Sequence, residues 1–240
     1  MTIKHSIKQW AMRAGIEVRR FNASESADAR LAQQLHQHEV DLVLDVGAND
    51  GGYGRLLRSA GYSGAILSFE PLSSAHVALL QATAGDALWQ VAPRAALGEE
   101  TGEVAINVAG NSTSSSILPM GDLHAEAAPY SRYEGQEKVA LQRLDGFGHP
   151  LLRAAKSVLL KIDTQGYEMA VLRGAGSLLD RIRGVQVELS VVPLYDGQAV
   201  FDQVIHYLQS RGFGLWDVIP GFVDARSGRM LQFDGVFYRG

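Results

Sequence analysis

LVLDVGANDGG, residues 42–52, is the stretch that decides the fold of this 240-residue chain. Its first residues are mostly aliphatic or β-branched, which is typical of a strand buried in a parallel sheet. The glycines that follow supply the backbone freedom of a tight turn, and a helix is predicted over residues 53–60, ended by Gly61. Strand, turn and helix N-terminus bring backbone N–H groups and a positive dipole end together, so the stretch predicts a binding loop.

Two carboxylates accompany this loop. Asp45 lies inside the first strand, and Glu70 follows the second predicted strand, residues 65–69. A carboxylate at the tip of the second strand can accept both hydroxyls of a ribose. The loop reads D-x-G-x-N-x-G instead of the dinucleotide pattern G-x-G-x-x-G, and its acidic residue would repel a pyrophosphate. This spacing resembles the S-adenosylmethionine loop of class I methyltransferases, where a carboxylate suits a ligand with an amine and a sulfonium.

Composition excludes several classes of protein. With 46% hydrophobic and 20% charged residues, the chain fits one soluble α/β domain with a small extension. A net charge of −4 provides no basic field for nucleic acid, and the absence of cysteine excludes disulfides, zinc–thiolate sites and cysteine nucleophiles. No apolar run approaches the ~20 residues of a membrane span. A cytoplasmic enzyme is expected, although the basic, partly amphipathic residues 1–20 could lie on an acceptor or a membrane surface.

The order of the predicted elements indicates the fold class. Residues 1–38 form a helical extension in two pieces, 3–14 and 26–37. Strands are predicted at 42–46, 65–69, 89–91 with its exit at 94–97, 103–108, 139–144, 157–162, 185–189, 213–218 and 230–238, and helices at 53–60, 74–83, 167–179 and 201–210. Residues 39–240 therefore predict a doubly wound, mostly parallel seven-stranded sheet closed by an antiparallel pair. Ligands bind beyond the carboxyl ends of such strands, so Asp45, Glu70, Asp163 and Glu188 should surround one crevice.

Several blocks together resemble the FkbM-type S-adenosylmethionine-dependent methyltransferases. The blocks, in order from about residue 42 to 190, are LDVGANDGGYG, SFEP, ALGEETGEVAINV, NSTSSSIL, LQRLD and LLKIDTQGYEMAVLRGA. The resemblance implies a Rossmann-like class I fold, S-adenosyl-L-methionine as cofactor, and methylation of a hydroxyl on a sugar, glycan or polyketide-type acceptor. Family members often carry Glu where this chain has Gln165. A glutamine keeps hydrogen bonding and loses the charge, which bears on any base or metal role assigned there.

The loop and the resemblance together suggest the cofactor contacts. The expected cofactor-binding residues are Asp45, Gly47, Asn49, Asp50, Glu70, Pro71, Ala96, Leu97, Ser115 and Asp163. The loop residues would line the methionine part, Glu70 would take the ribose diol, 96–97 would flank the adenine, and the serine run 114–116 would donate hydrogen bonds. Each of these residues also has a structural alternative. The carboxylate of Asp45 could accept hydrogen bonds from loop amides, and Glu70 could be an exposed residue at a strand end. Residues 96–97 could belong to the hydrophobic core, and the serine run could be a flexible loop.

An alcohol acceptor must lose a proton, so the site needs a base. Asp163 ends the strand predicted to lie beside the first one and is our first candidate, ahead of Glu188 and His124. Two strand-end carboxylates could share a proton or a divalent cation, or could simply cap loops. The histidines form no H-E-x-x-H motif and no tight cluster, so no metal ligands are assigned.

Residues 110–138 lack strong periodicity over a long stretch, which predicts a mobile lid over the acceptor. Three other functions stay open: a nicotinamide-dependent oxidoreductase, disfavoured by the loop spacing; an N-methyltransferase acting on a sugar amine; and a non-catalytic cofactor-binding protein, suggested by Gln165. The expected partner is a small-molecule or glycan acceptor. The sequence specifies neither the methylated hydroxyl nor the oligomeric state.

Overall fold

The computed structural model describes residues 3–18 and 20–240. In chain order, its strands are β1 (Leu42–Val46), β2 (Ala65–Phe69), β3 (Trp89–Val91), β4 (Ala96–Leu97), β5 (Gly102–Ala109), β6 (Tyr133–Gln142), β7 (Val158–Ile162), β8 (Ile182–Ser190), β9 (Phe213–Pro220), β10 (Val223–Asp224), β11 (Arg229–Met230) and β12 (Gln232–Arg239). The helices are α1 (Ile3–Arg13), α2 (Ala27–Gln37), α3 (Gly52–Ser59), α4 (Ser73–Thr83), α5 (Asp122–Ala127), α6 (Pro150–Ala154), α7 (Glu168–Gly174) and α8 (Phe201–Ser210).

The main sheet has seven strands in the order β3-β2-β1-β7-β8-β12-β9. β1 runs parallel to both of its neighbours, and β12 is antiparallel to both β8 and β9. Every residue of β1 is buried, because helices cover the sheet on both faces. The predicted doubly wound, mostly parallel α/β sheet is confirmed. The closing pair is antiparallel as predicted, because β12 pairs antiparallel with β9, and β12 is also antiparallel to β8.

A separate three-stranded sheet, β4-β6-β5, lies beside the carboxyl ends of β1 and β2. The sequence predicted that residues 94–97 continue the third strand and that 103–108 pair with it. Instead, 96–97 pair with β6, and β5 pairs with β6 along its whole length. Pro93 explains the break, because proline has no N–H to donate and β3 cannot extend through it. The small sheet packs against Leu72 and Tyr167 and thereby forms one wall of the site.

Most predicted helices are observed within a residue or two of the expected bounds. The exception is the helix predicted over 167–179. It ends as α7 at Gly174, and residues 176–181 continue as a 3-10 helix. Gly176 has φ +48°, outside the right-handed helical region, so the α-helix cannot run through it.

The N-terminal extension contains α1 and α2. Leu31 and Leu35 of α2 are buried in the core on the α3 side of the sheet, whereas Trp10 of α1 is 72% exposed. The side chains of residues 3–7, which carry part of the expected amphipathic face, and Arg19 lie outside the described residues. Within the described part of the chain, no helix is both long and apolar enough to cross a membrane.

The segment predicted to be a lid, residues 110–138, contains more regular structure than its sequence suggests. It includes α5 and a 3-10 turn at Pro129–Ser131, and residues 133–138 belong to β6. The irregular part is therefore 110–132, which joins β5 to β6 and lies against the end of β7 through Ser116 and Gln165. That this segment moves as a lid stays a prediction.

Candidate functional site

A cavity opens where β1, β2 and β7 end, between the main sheet and the small sheet. The expected cofactor residues in its wall are Gly47, Asn49, Glu70, Pro71, Ala96, Leu97, Ser115 and Asp163. The remaining lining residues are Val46, Phe69, Leu72, Ala95, Ile106, Ser112, Thr113, Ser116, Ile117, Thr164, Gln165 and Tyr167. The lining is thus largely apolar and includes two carboxylates, Glu70 and Asp163.

The glycine-rich loop passes very close to the end of β7. A Cβ on Gly47 would lie 1.8 Å from the carbonyl oxygen of Asp163, and its φ is +79°. Only glycine fits this position, for steric and conformational reasons together. The N–H groups of Gly47 and Ala48 both donate to the carbonyl of Phe69, which ties the loop to β2 as well. The sequence LDVGAND therefore holds the turn against both neighbouring strands.

Glu70 holds the loop and faces the cavity. Its Oε2 accepts the N–H of Asn49 at 2.8 Å, and its Oε1 accepts the N–H of Leu72 at 2.9 Å. Burial raises the pKa of this carboxyl to about 7, against the opposing effect of the two amides. A carboxylate oxygen can accept two hydrogen bonds, so each Glu70 oxygen retains the capacity for a ligand hydroxyl.

Asp45 and Asp50 are not in the cavity wall. Asp45 is fully buried, accepts a hydrogen bond from Ser68 Oγ at 3.2 Å and lies 3.8 Å from Nζ of Lys161. Burial raises the pKa of Asp45, and the Lys161 ammonium opposes that shift. Asp50 accepts the Gly52 N–H at the start of α3 and pairs with Arg55 at 3.0 Å. The structure thus gives Asp45 an ammonium partner from the chain itself and places Asp50 just before α3, where it accepts the N–H of Gly52.

Lys161 is a buried cation that was not among the predicted site residues. Its Nζ lies 3.3 Å from Oδ2 of Asp163 and 5.3 Å from the centre of the Tyr53 ring. Burial works to lower the pKa of Lys161, but Asp163, Asp45 and Asp234 outweigh it and raise that pKa. The charged lysine therefore joins the middle of β1 to the end of β7. A charge inside the apolar run VLLKI was the signal that could have revealed it.

Asp163 and Glu188 come together through Gln165. Asp163 lines the cavity with a side chain 36% exposed. The Gln165 amide nitrogen donates to Asp163 Oδ1 at 2.8 Å and to Glu188 Oε2 at 2.9 Å. Glu188 also accepts from Gln232 Nε2 at 2.6 Å, and its pKa is raised well above the usual range by burial and by the neighbouring Asp163 charge. Glu188 itself is absent from the cavity lining.

Glu168 organises the loop that carries these groups. Its buried carboxylate accepts the N–H groups of Thr164 at 2.9 Å and Gly166 at 3.0 Å. Burial raises the pKa of Glu168 to about 7, although these amide donors lower it. A carboxylate in the first turn of α7 would by itself indicate only a favourable interaction with the helix dipole. The structure shows that Glu168 fixes the turn between Asp163 and α7.

The serine run closes the cavity on its remaining side. Ser112 accepts a hydrogen bond from Asn49 Nδ2 at 3.3 Å, and Ser116 Oγ donates to the carbonyl of Gln165 at 2.6 Å. Ser115, expected to contact the ligand, lines the cavity but accepts the N–H of Ala109 at 2.9 Å. These bonds connect residues 112–116 to both ligand-facing loops.

His124 lies away from the cavity. Only 2% of it is exposed, and its ring contacts Tyr195 and Phe222 at centroid distances of 5.1 and 5.7 Å. Burial lowers the pKa of His124, and its Nδ1 has no hydrogen-bond partner in the part of the chain that the structure describes. Tyr195 lies between His124 and Gln165. Its ring contacts His124, and its hydroxyl donates to Gln165 Oε1 at 2.9 Å. It was not among the predicted site residues. His124 thus has no direct path to a ligand in the cavity.

Comparison with known proteins gives one family match. The profile of the methyltransferase FkbM domain matches residues 45–215. No curated protein is significantly similar to the chain in sequence.

Comparison with solved structures gives matches of low sequence identity. The methyltransferase domain of bacterial CtHen1 is 10% identical, with 90% of this chain and 100% of that chain covered and a TM-score of 0.48. TehB of Haemophilus influenzae is 9% identical, with 88% and 62% covered and a TM-score of 0.46. An rRNA methylase of Streptococcus thermophilus is 12% identical, with 89% and 96% covered and a TM-score of 0.43.

Proposed function

The chain belongs to the FkbM methyltransferase family, and from this premise we propose that it methylates a hydroxyl of a small-molecule or glycan acceptor of sugar or polyketide type. It is an S-adenosylmethionine-dependent methyltransferase. The observation that carries the choice of a hydroxyl is Asp163, a carboxylate in the cavity wall at the end of β7. A hydroxyl must give up its proton during transfer, and a carboxylate within reach can take it.

The residues of the cavity fit the cofactor. Among the described residues, its lining contains Glu70 and Asp163 as the charged side chains and has no Lys or Arg, which suits a ligand carrying an amine and a sulfonium. Glu70 has free acceptor capacity for two ribose hydroxyls. Leu72, Ala96 and Leu97 form an apolar wall for an adenine ring. Gly47 and Asn49 would lie along the methionine part, as proposed from the sequence.

The chemistry required of the protein is limited. When bound, the sulfonium supplies both the methyl group and its leaving group. The chain must then orient the acceptor oxygen, exclude water and remove one proton. Asp163 is the proposed proton acceptor because it combines exposure to the cavity with a fixed orientation. Its two oxygens are held separately by Lys161 and Gln165.

The acceptor can be found by mass spectrometry of glycans and secondary metabolites from a strain that lacks the protein. A compound lighter by one CH2 group identifies it. Turnover is then followed as release of S-adenosylhomocysteine.

With the acceptor in hand, Asp163→Asn tests the proposal, since it nearly preserves shape and removes the charge. We expect turnover to fall by roughly 10²–10⁴-fold while affinity for S-adenosylhomocysteine changes little. Asp180→Asn is the matched control, because that carboxylate is 68% exposed and distant from the cavity.

Three outcomes would contradict the proposal. Near-full turnover of Asp163→Asn would show that Glu188 or solvent removes the proton instead. A cofactor affinity without turnover on any acceptor would indicate a binding protein, and an amine-bearing acceptor would indicate N-methylation. Added Mg²⁺ and EDTA separate two roles of Asp163, since a simple base is indifferent to both and a cation ligand is not.

A further inference from the structure

The side chain of Gln165 uses both hydrogens of its amide nitrogen and also accepts through its oxygen. Its Nε2 has two hydrogens, and these go to Asp163 Oδ1 at 2.8 Å and Glu188 Oε2 at 2.9 Å. Its Oε1 accepts the Tyr195 hydroxyl at 2.9 Å. The opposite orientation of the amide would direct its oxygen at two carboxylates, so the contacts fix which end faces Asp163.

The backbone of Gln165 is held in place as firmly as its side chain. Its φ is +54°, a left-handed conformation that residues with a side chain seldom adopt. Ser116 Oγ donates to its carbonyl at 2.6 Å, and Glu168 holds the next N–H, that of Gly166. Asn49 and Ser112, which also line the cavity, share this rare conformation. Such concentration of strained residues is typical of sites where side chains must be positioned.

Two ionised carboxylates that meet at one point repel each other, and the charge of Asp163 contributes in this way to the raised pKa of Glu188. Proteins usually resolve such a pair with a shared proton or a bridging cation. Here the Gln165 NH₂ group lies between Asp163 and Glu188, while the ammonium of Lys161 serves the other oxygen of Asp163 at 3.3 Å. Within residues 3–18 and 20–240, no group of three or more His, Cys, Asp or Glu could hold a metal ion.

We infer that Gln165 is a positioning residue that bridges Asp163 and Glu188 in place of a divalent cation and so holds Asp163 in the cavity wall. This rests on the proposed function, in which Asp163 takes the acceptor's proton. Gln165 also lines the cavity, but its amide is bonded to Asp163, Glu188 and Tyr195, so we expect it to act through Asp163. Its removal should therefore change the rate of the chemical step and leave ligand binding nearly intact.

The first test compares Gln165→Leu with Gln232→Leu. Gln232 donates to the same Glu188 oxygen, so its variant removes a bond to Glu188 and leaves the Gln165–Asp163 bond in place. We expect Gln165→Leu to lower kcat by on the order of tenfold or more with KM for the acceptor changed less than about twofold, and Gln232→Leu to retain most of its kcat. A kcat within about twofold of wild type for Gln165→Leu, or an equal loss in both variants, overturns the inference.

The second test needs no acceptor and uses Mn²⁺ as the probe. Gln165→Glu places three carboxylates around the position of the Gln165 amide nitrogen. We therefore expect this variant to bind one Mn²⁺ more tightly than wild type, by roughly tenfold or more. Electron paramagnetic resonance measures free Mn²⁺, and S-adenosylhomocysteine calorimetry verifies that each variant is folded. Equal Mn²⁺ affinity in variant and wild type overturns the inference. This readout stands apart from the proposed function, whose failure would appear in Asp163→Asn turnover.

Discussion

Single residues explain why some site positions could be anticipated and others could not. Gly47, Glu70 and Asp163 follow directly from strand ends, and the carboxyl ends of neighbouring parallel strands must meet. Asp45 was expected to face the ligand's ammonium because it precedes the first glycine. Its position in β1 instead pairs it with Lys161 of β7, a relation set by strand register that the sequence alone does not contain.

The hydrogen bonds around Gln165 could not be predicted from the sequence for a similar reason. Gln165 bonds to Ser116, Glu188 and Tyr195, and Glu188 also accepts from Gln232, so three distant parts of the chain meet there. None of them belongs to a local motif, and their meeting depends on the loops after β7 and β8. The replacement of an acidic residue by Gln165 was visible, but its bridging role was not.

Glu70 gives a prediction about cofactor affinity. Glu70→Ala should weaken binding of S-adenosylhomocysteine by roughly 1–3 kcal/mol, because ribose hydroxyls would be left poorly paired in a closed site. Calorimetry at pH 8 is suitable, since the pKa of Glu70 is about 7 and the carboxylate is then ionised.

The control for this prediction addresses the loop, because Glu70 also holds the Asn49 and Leu72 amides. Glu70→Gln keeps one oxygen acceptor of similar size and should lose less affinity than Glu70→Ala. Unchanged affinity in Glu70→Ala would mean that the ribose is held elsewhere and that the assignment of the second strand's carboxylate is wrong.

At the scale of elements, periodicity predicted the strands that are buried on both faces. β1 and β2 have the predicted bounds because their apolar runs end sharply at a turn residue or a carboxylate. β6 was predicted only from residue 139, whereas it begins at Tyr133. Residues 133–138 are polar and partly exposed, and their strand conformation comes from pairing with β5, which local sequence does not reveal.

The segment of residues 110–132 gives a prediction about motion. It touches the glycine-rich loop through Asn49 and Ser112 at 3.3 Å, a long and partly buried bond that can open readily. We expect the rate of amide hydrogen exchange in residues 110–117 to fall by roughly tenfold or more when S-adenosylhomocysteine and the methylated product are bound. Residues of α8 provide the internal control, since they lie outside the cavity lining. Equal protection with and without ligands would remove the lid hypothesis.

For the whole molecule, the described cores show how the sheet separates structural and functional roles. The larger core lies on one face of the sheet and includes Leu44, Leu160 and Val187, and a second core with Val43 and Trp89 lies on the other. The ligand-facing residues gather at one end of the strands, where loops can vary without disturbing either core. Fold class could therefore be predicted from apolar patterning, while the contacts that complete the site required the folded chain.

The last prediction concerns the pH dependence of the free energy of unfolding. Burial raises the pKa of Glu168 from 4.5 to about 7, so the folded protein binds this proton more tightly than the unfolded chain. The resulting stabilisation is complete below pH 4.5 and is lost as the pH rises through about 7.

Urea unfolding measures the free energy of unfolding of wild type and of Glu168→Gln. We expect wild type to lose roughly 3 kcal/mol relative to the variant as the pH rises from 4.5 to 8. Because the variant lacks this titration, the difference isolates Glu168 from Glu70, whose pKa is also about 7. A constant difference, or one that moves in favour of wild type, would show that the Thr164 and Gly166 amides stabilise the charged carboxylate more than burial disfavours it.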